Sequence, residues 1–171
     1  MEKHRYRQRD KCNTVDLTDA SNYTVTIVGV GGVGSRVAEI LCREGFNVRL
    51  VDKAKVMYQD LHRCTLFDES DLDSFKVKAA KKHLKRINRS VVVKAFDEYI
   101  SEETRYLIQG DFLIVSTSEK EVHSLAQAWD GTAMYAYREA DSPAMYREGG
   151  VTVADTARAA ARIVQNVYKH L

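Results

Sequence analysis

The chain has 171 residues, a formal net charge of +2 and a hydrophobic fraction of 44%. This length suits one domain with a substantial core and excludes two domains of ordinary size. The small net charge gives no reason to expect nucleic acid or an acidic membrane surface as a partner. Because no apolar run is long enough to span a bilayer and no apolar segment follows the basic N-terminus, we expect a cytoplasmic protein.

The N-terminal residues differ in character from the rest of the chain. Residues 1–22 are polar and rich in basic side chains, so we assign them to an N-terminal basic arm, outside a single domain of residues 23–171. Two interpretations of the arm stay open. It is either a partly disordered tail or a segment that packs on a partner subunit and delivers an arginine.

The hydrophobic pattern predicts an α/β domain. It opens with a β-branched strand, a helix and a second strand, at residues 25–30, 32–43 and 48–51. A loop follows at 53–73, with a short helical piece near 58–64. Beyond it the pattern predicts helices at 74–88, 101–110, 119–129 and 153–168, and strands at 91–96, 111–117 and 134–137. The only proline and a glycine pair indicate a loop or hairpin at 138–150. This order predicts a Rossmann-like three-layer fold with a mostly parallel central sheet flanked by helices.

A glycine motif joins the first strand to the first helix. Gly29, Gly31 and Gly34 form G-x-G-x-x-G, and Gly32 lies between them. Such a turn needs glycine for its backbone angles, for the close approach of a phosphate and for packing of helix on strand. The helix that opens there directs N–H groups and the positive end of its dipole at an anion. The motif predicts a nucleotide-binding unit, with a plain βαβ unit as the alternative.

An acid closes the second strand. Asp52 lies 18 residues beyond Gly34, where a carboxylate accepts both hydroxyls of a ribose. ATP and NAD both carry such a ribose, so these residues alone leave both ligands open. The loop that follows leaves the carboxyl end of a strand, which is where ligands bind in open parallel sheets.

The cysteines exclude two kinds of site. Cys12, Cys42 and Cys64 are odd in number and never closer than 22 residues, so we expect neither a disulfide framework nor a CxxC zinc site. Cys64 follows Arg63, and a thiol beside a guanidinium can have a lowered pKa. The alternative is a buried or merely exposed thiol with no chemical role.

Four segments, taken together, resemble a known superfamily. They are GVGGVGS at 29–35, LVD at 50–52, DLHRCTLF at 60–67 and DSFKVKAA at 73–80. Their order and spacing resemble the ThiF/MoeB/E1 superfamily of adenylylating enzymes, over residues 23–117. The resemblance implies that Asp52 binds the ribose of ATP and that residues 29–34 approach its phosphates. It also implies that Arg63 and Lys76 are the basic pair at the reacting phosphates, although Lys76 taken alone is one of many lysines on a helix.

The arm takes part in the same resemblance. Arg5-Tyr6-Arg7-Gln8 is similar to the segment by which family members lend an arginine to the partner subunit's site, with Arg7 or Arg5 in that place. The resemblance therefore implies a homodimer. It also implies that the acceptor is a small-molecule acid or the C-terminus of a ubiquitin-like or sulfur-carrier protein.

Several positions depart from the family pattern. Ser118 stands where the family has the acid that binds Mg²⁺, and a hydroxyl is a poor substitute for a carboxylate on a hard dication. Glu119 or Glu121 is a possible replacement ligand. Asp60 and Asp73 stand where the family has asparagine and glycine.

Three functions follow from the matches and the departures. The first is an ATP-dependent adenylyltransferase that activates a carboxylate. The second is an NAD-linked enzyme, in which Arg63 and Lys76 have no role. The third is a catalytically reduced nucleotide-binding module, in which Ser118 marks the loss of catalysis.

Overall fold

The computed structural model describes residues 20–136 and 153–171. Five strands form one sheet in the order β3-β2-β1-β4-β5, and every neighbouring pair is parallel. The strands are β1 (Thr24–Val28), β2 (Asn47–Val51), β3 (Val93–Phe96), β4 (Phe112–Val115) and β5 (Thr132–Tyr135). After β1 the chain adds β2 and β3 on one side of it, and then crosses over to add β4 and β5 on the other side. This change of side between β1 and β4 creates a crevice at the carboxyl ends of those strands.

Helices cover both faces of the sheet. They are α1 (Gly34–Glu44), α2 (Tyr58–Leu61), α3 (Lys76–Ile87), α4 (Lys120–Gln127) and α5 (Val153–Tyr168). On one face α1, α3 and α5 bury an apolar stripe that includes Val37, Leu84 and Ile163. On the other face α4 and the connection before β4 bury Val122 and Leu107. The predicted Rossmann-like α/β fold with three layers is confirmed.

The predicted helix at 101–110 is wrong. Only a 3-10 turn forms there, at Arg105–Leu107. Ser101 does not cap it, because the N-cap position is Thr104. The N–H of Ser101 donates to the Thr104 hydroxyl, which in turn donates to the carbonyl of Tyr99. These local hydrogen bonds compete with the backbone hydrogen bonds of an α-helix, so residues 101–110 form a series of turns instead.

The remaining boundaries shift by a few residues. The first helix begins at Gly34, two residues later than predicted, and the last strand runs over Thr132–Tyr135. The helical piece in the long loop is a single turn at Tyr58–Leu61. The predicted loop at 138–150 lies outside the described residues. Within the described ranges no helix is both long and apolar enough to cross a membrane.

Candidate nucleotide site at the carboxyl ends of the strands

The three glycines of the G-x-G-x-x-G motif differ in how much space surrounds them. Gly29 has a φ of 90°, and a Cβ there would lie 2.5 Å from the carbonyl oxygen of Ser116. At Gly34 a Cβ would collide with the carbonyl oxygen of Gly29, so α1 packs directly on the turn. At Gly31 a Cβ would meet nothing within 4 Å. Gly29 and Gly34 therefore permit close packing, whereas Gly31 leaves open space above the backbone.

Gly32 lies against the last helix. A Cβ there would lie 2.8 Å from Cγ2 of Thr156, on α5, and 3.7 Å from Cδ of Arg63. Arg36, on α1, donates from Nε to the Thr156 hydroxyl at 3.0 Å. The first turns of α5 thus close one side of the glycine turn.

Asp52 connects the ends of two strands. Its Oδ2 accepts the N–H of Val30 at 2.7 Å, and its Oδ1 accepts the N–H of Ala54 at 2.7 Å. The carboxylate therefore holds the glycine turn after β1 against the loop after β2. Each carboxylate oxygen has a second lone pair, so the half-buried side chain can still accept hydroxyl donors.

Arg63 and Lys76 meet on one buried carboxylate. Asp60 is 1% exposed, and its Oδ1 accepts Nη2 of Arg63 at 3.1 Å and Nζ of Lys76 at 3.0 Å. Its Oδ2 accepts the N–H of Met57 at 3.1 Å and so caps α2. Burial alone would raise the pKa of Asp60, but the bonds from Lys76, Met57 and Arg63 outweigh it and hold that pKa below its ordinary value.

The glycine turn, Asp52 and Arg63 line one cleft of about 270 Å³. Its apolar wall is formed by Val51, Ile100 and Val122, and its polar wall includes Ser118 and Glu119. Lys76 is not among the described residues that line this cleft; its ammonium lies beside Arg63 on Asp60.

A family model matches most of the chain. The model of the ThiF family covers residues 6–131. The chain belongs to the ThiF family. Two curated relatives of this ThiF-family chain are the adenylyltransferase and sulfurtransferase UBA4 of Scheffersomyces stipitis, 30% identical over 95 residues, and the tRNA threonylcarbamoyladenosine dehydratase of Bacillus subtilis, 37% identical over 89 residues. The matches cover 55% and 52% of this chain but only 21% and 35% of the relatives, so the chain spans about a fifth to a third of their length.

Solved structures have the same fold as the ThiF-family chain. The tRNA N6-threonylcarbamoyladenosine dehydratase TcdA of E. coli superposes with a TM-score of 0.82 at 15% identity, over 97% of this chain and 93% of that one. TcdA has also been solved in complex with ATP and with AMP. MccB of E. coli superposes with a TM-score of 0.75 at 19% identity, over 90% of this chain and 57% of MccB.

Cys64 of this ThiF-family protein is a buried thiol. It is 0% exposed, and burial together with the neighbouring Asp60 charge raises its pKa. The hypothesis of a lowered pKa is therefore wrong, because the Asp60 carboxylate and burial outweigh the attraction of Arg63 and Lys76.

Two of the predicted residues cannot be placed in the site. Arg5 and Arg7 lie outside the described residues. Ser118 and Glu119 do reach the cleft, whereas Glu121 lies with Oε2 3.5 Å from the Tyr99 hydroxyl and is not among the described lining residues.

One wall of the cleft, formed by the segment that follows β3, was not predicted from the sequence. Tyr99 and Ile100 line the cleft just after that strand. A hydrogen bond with Glu119 raises the pKa of Tyr99 to about 12. Lys53 places its Nζ 4.2 Å from the centre of the Tyr99 ring. The one sequence signal for Tyr99 and Ile100 was their position just after a predicted parallel strand. Neither residue type indicates a ligand.

Proposed function

We propose that this protein binds ATP in the cleft above the glycine turn and transfers its adenylyl group to a carboxylate. One observation carries the proposal: Gly31, with open space above its backbone, Asp52 and Arg63 all line the same cleft. Few ligands other than a nucleotide with a phosphate chain use all three groups at once.

The chain's own residues determine how the nucleotide lies. Asp52 accepts the ribose hydroxyls with the lone pairs that its two backbone bonds leave open. The apolar wall of Val51, Ile100 and Val122 takes the flat face of the base. Gly31 lets the phosphates approach the main chain. Ser116 also lines the cleft, and its buried hydroxyl has no hydrogen-bond partner within the described residues, so it adds a donor there.

The reaction is attack by a carboxylate oxygen on the α-phosphorus, with cleavage of the bond to pyrophosphate. Two anions approach each other, and negative charge grows on the leaving pyrophosphate. Arg63 and Lys76 offset this charge, and Asp60 holds them side by side. Because Asp60 cancels one of the two positive charges, the phosphates must compete with it for Arg63, which lines the cleft.

Two glutamates among the described lining residues, Glu98 and Glu119, offer carboxylates suited to Mg²⁺. Mg²⁺ takes oxygen ligands and commonly binds through one or two carboxylates together with phosphate oxygens. Glu119 lines the cleft beside Ser118, and we assign it the place that the family gives to the acid at 118. When bound, the ion neutralises charge on the pyrophosphate leaving group.

The acceptor is a small acid or the C-terminus of a ubiquitin-like or sulfur-carrier protein. The names of the relatives support this class, since they include a sulfur carrier protein adenylyltransferase and a ubiquitin-like modifier-activating enzyme. The protein acts as a homodimer in which Arg7 of one subunit reaches the site of the other. Light scattering that reports a monomer contradicts the dimer without bearing on ATP binding.

A thermal-shift panel of ATP, ADP, NAD, NADP and S-adenosylmethionine tests the ligand. ATP with Mg²⁺ raises Tm by linkage if it binds the folded state alone. Arg63→Ala should reduce ATP-dependent pyrophosphate exchange about 100-fold or more, because it removes a group that stabilises the transition state. Arg105→Ala, an exposed arginine paired with Glu102, is the matched control and should retain full exchange. Stabilisation by NAD but not by ATP contradicts the proposal.

A second candidate is a module that binds ATP without transferring its adenylyl group. Ser118 at the family's magnesium position and the partial neutralisation of Arg63 by Asp60 favour it. This candidate predicts ATP stabilisation with no pyrophosphate exchange for any acid or carrier protein tried. A single active acceptor excludes it.

A further inference from the structure

A second cavity lies at the opposite end of the sheet from the nucleotide cleft. Its volume is about 390 Å³. Its walls come from the first residues of β1 and β2 and from the segments that lead into β3 and β4, including Thr24, Asn47, Val92 and Asp111. We call it the amino-end cavity. It is independent of the proposed adenylylation site.

Arg49 is the buried cation of the amino-end cavity. It lies on β2 in register with Thr26 on β1 and Lys94 on β3, so the three residues share one row across the sheet. The residue is only 8% exposed. Its Nη2 donates to the carbonyl of Leu107 at 3.2 Å, and its guanidinium carbon lies 4.8 Å from the centre of the Phe96 ring.

The guanidinium of Arg49 is incompletely satisfied. Its Nε is buried and has no hydrogen-bond partner within the described residues. No carboxylate in the described part of the chain lies within ion-pair distance of it. Burial lowers the pKa of Arg49, as expected for a charge removed from water without an anion beside it. Burying such a charge costs free energy unless an anion and further hydrogen bonds compensate it.

The other polar groups of the cavity do not supply that anion. Asp111 is the only acid among the lining residues that the structure describes, and its Oδ2 accepts the N–H of Thr24 at 2.8 Å. Lys94 adds a second positive charge, exposed and without an ion pair to any described residue. The amide of Asn47 is occupied, since it donates to Ser21 and accepts from Val92.

We propose that the amino-end cavity binds the oxyanion group of a small organic molecule, a phosphate monoester or a carboxylate. Arg49 supplies hydrogen bonds from the planar guanidinium, and Lys94 supplies a second charge at the mouth. Val92, which is 51% exposed, offers an apolar surface for the organic part of the ligand. The cavity volume lies within the range typical of small-molecule sites.

The test is a titration with phenyl phosphate and, separately, with benzoate, monitored by amide NMR. An Arg63→Ala background removes a phosphate contact in the nucleotide cleft, so the two sites are distinguishable. Both probes carry an oxyanion on an aromatic body, and the tighter one identifies the preferred head group. Binding should shift the amide signals of Lys94 and Gly110, at the amino-end cavity.

Two variants decide whether the cations hold the ligand. Arg49→Met, similar in length but uncharged, should weaken binding about tenfold or more, and Lys94→Ala about threefold. Lys81→Ala is the matched control, because Lys81 is another exposed lysine without an ion pair among described residues, on α3. Unchanged binding in both Arg49→Met and Lys94→Ala overturns the proposal. Shifts confined to the nucleotide cleft also overturn it, and if Arg49→Met does not fold, Lys94→Glu gives the same decision from an exposed position.

Discussion

Lys76 and Arg49 are equally buried, each 8% exposed, but Lys76 lies beside Arg63 of the nucleotide cleft whereas Arg49 lines the amino-end cavity. Lys76 lies 3.0 Å from the carboxylate of Asp60, so its charge is compensated within the protein. Arg49 has only a carbonyl and an aromatic ring as described partners. A ligand at the carboxyl end must therefore compete with an existing anion, whereas a ligand at the amino end would supply a missing one.

Glycine substitutions in the turn at the carboxyl end should give the largest effects, because two of its glycines are packed against backbone atoms. Gly34→Ala should destabilise the protein by about 3 kcal/mol or more, or prevent folding, because its Cβ would collide with the backbone of Gly29. Urea denaturation measures the change in the free energy of unfolding.

Gly31→Ala is the matched control for Gly34→Ala. Its Cβ would meet nothing within 4 Å, so stability should change by no more than about 1 kcal/mol. ATP affinity should nevertheless fall, because the methyl group occupies space over the turn. Equal losses of stability at both glycines would contradict the distinction between a packed and an open position.

Removing the anion at the carboxyl end should have the next largest effect. Asp60→Asn should destabilise the protein by about 2–3 kcal/mol, since it leaves Lys76 buried without a counter-ion. The same change should raise ATP affinity, because Arg63 is no longer held by a carboxylate. Asp97→Asn, which breaks the exposed pair with Lys78, is the control and should leave both quantities unchanged.

The stability difference between wild type and Asp60→Asn should depend on pH. The pKa of Asp60 is lowered in the folded state, so its contribution is fully present above the unfolded pKa of about 3.9 and is lost as pH falls through the folded value. The two proteins should therefore differ by a constant amount near neutral pH and converge in acid. A difference that is equally large at neutral and at strongly acidic pH would show that packing, not charge, accounts for it.

The local parts of the site were predictable from sequence, and the contacts across elements were not. The glycine turn and Asp52 follow from short-range spacing, because strand, turn and helix are consecutive. The burial of Asp60 between Arg63 and Lys76 depends on how the loop folds back onto α3, which no periodicity reports. Arg49 lies within an apolar strand, NVRLV, and only the packing of neighbouring segments determines whether such an arginine reaches water.

Removing the cation at the amino end should change stability little. Arg49→Met loses one hydrogen bond and a cation–π contact but removes a buried, uncompensated charge, so the net change should be within about 1 kcal/mol and is expected to favour the folded state. Denaturant unfolding in the absence of added anions provides the measurement. A loss of stability as large as that of Asp60→Asn would mean that the charge of Arg49 is compensated within the protein as well as that of Lys76.

Asp73 should give the smallest effect. It has a φ of 63° and is the only described non-glycine residue with positive φ. Asp73→Gly should stabilise the protein by about 0.5 kcal/mol, because relief of backbone strain slightly exceeds the extra freedom of glycine in the unfolded chain. Asp73→Ala is the control, since alanine removes the charge but keeps a Cβ at positive φ. A gain in Tm for Asp73→Gly alone attributes the effect to the backbone, whereas an equal gain for Asp73→Ala attributes it to removal of the Asp73 charge.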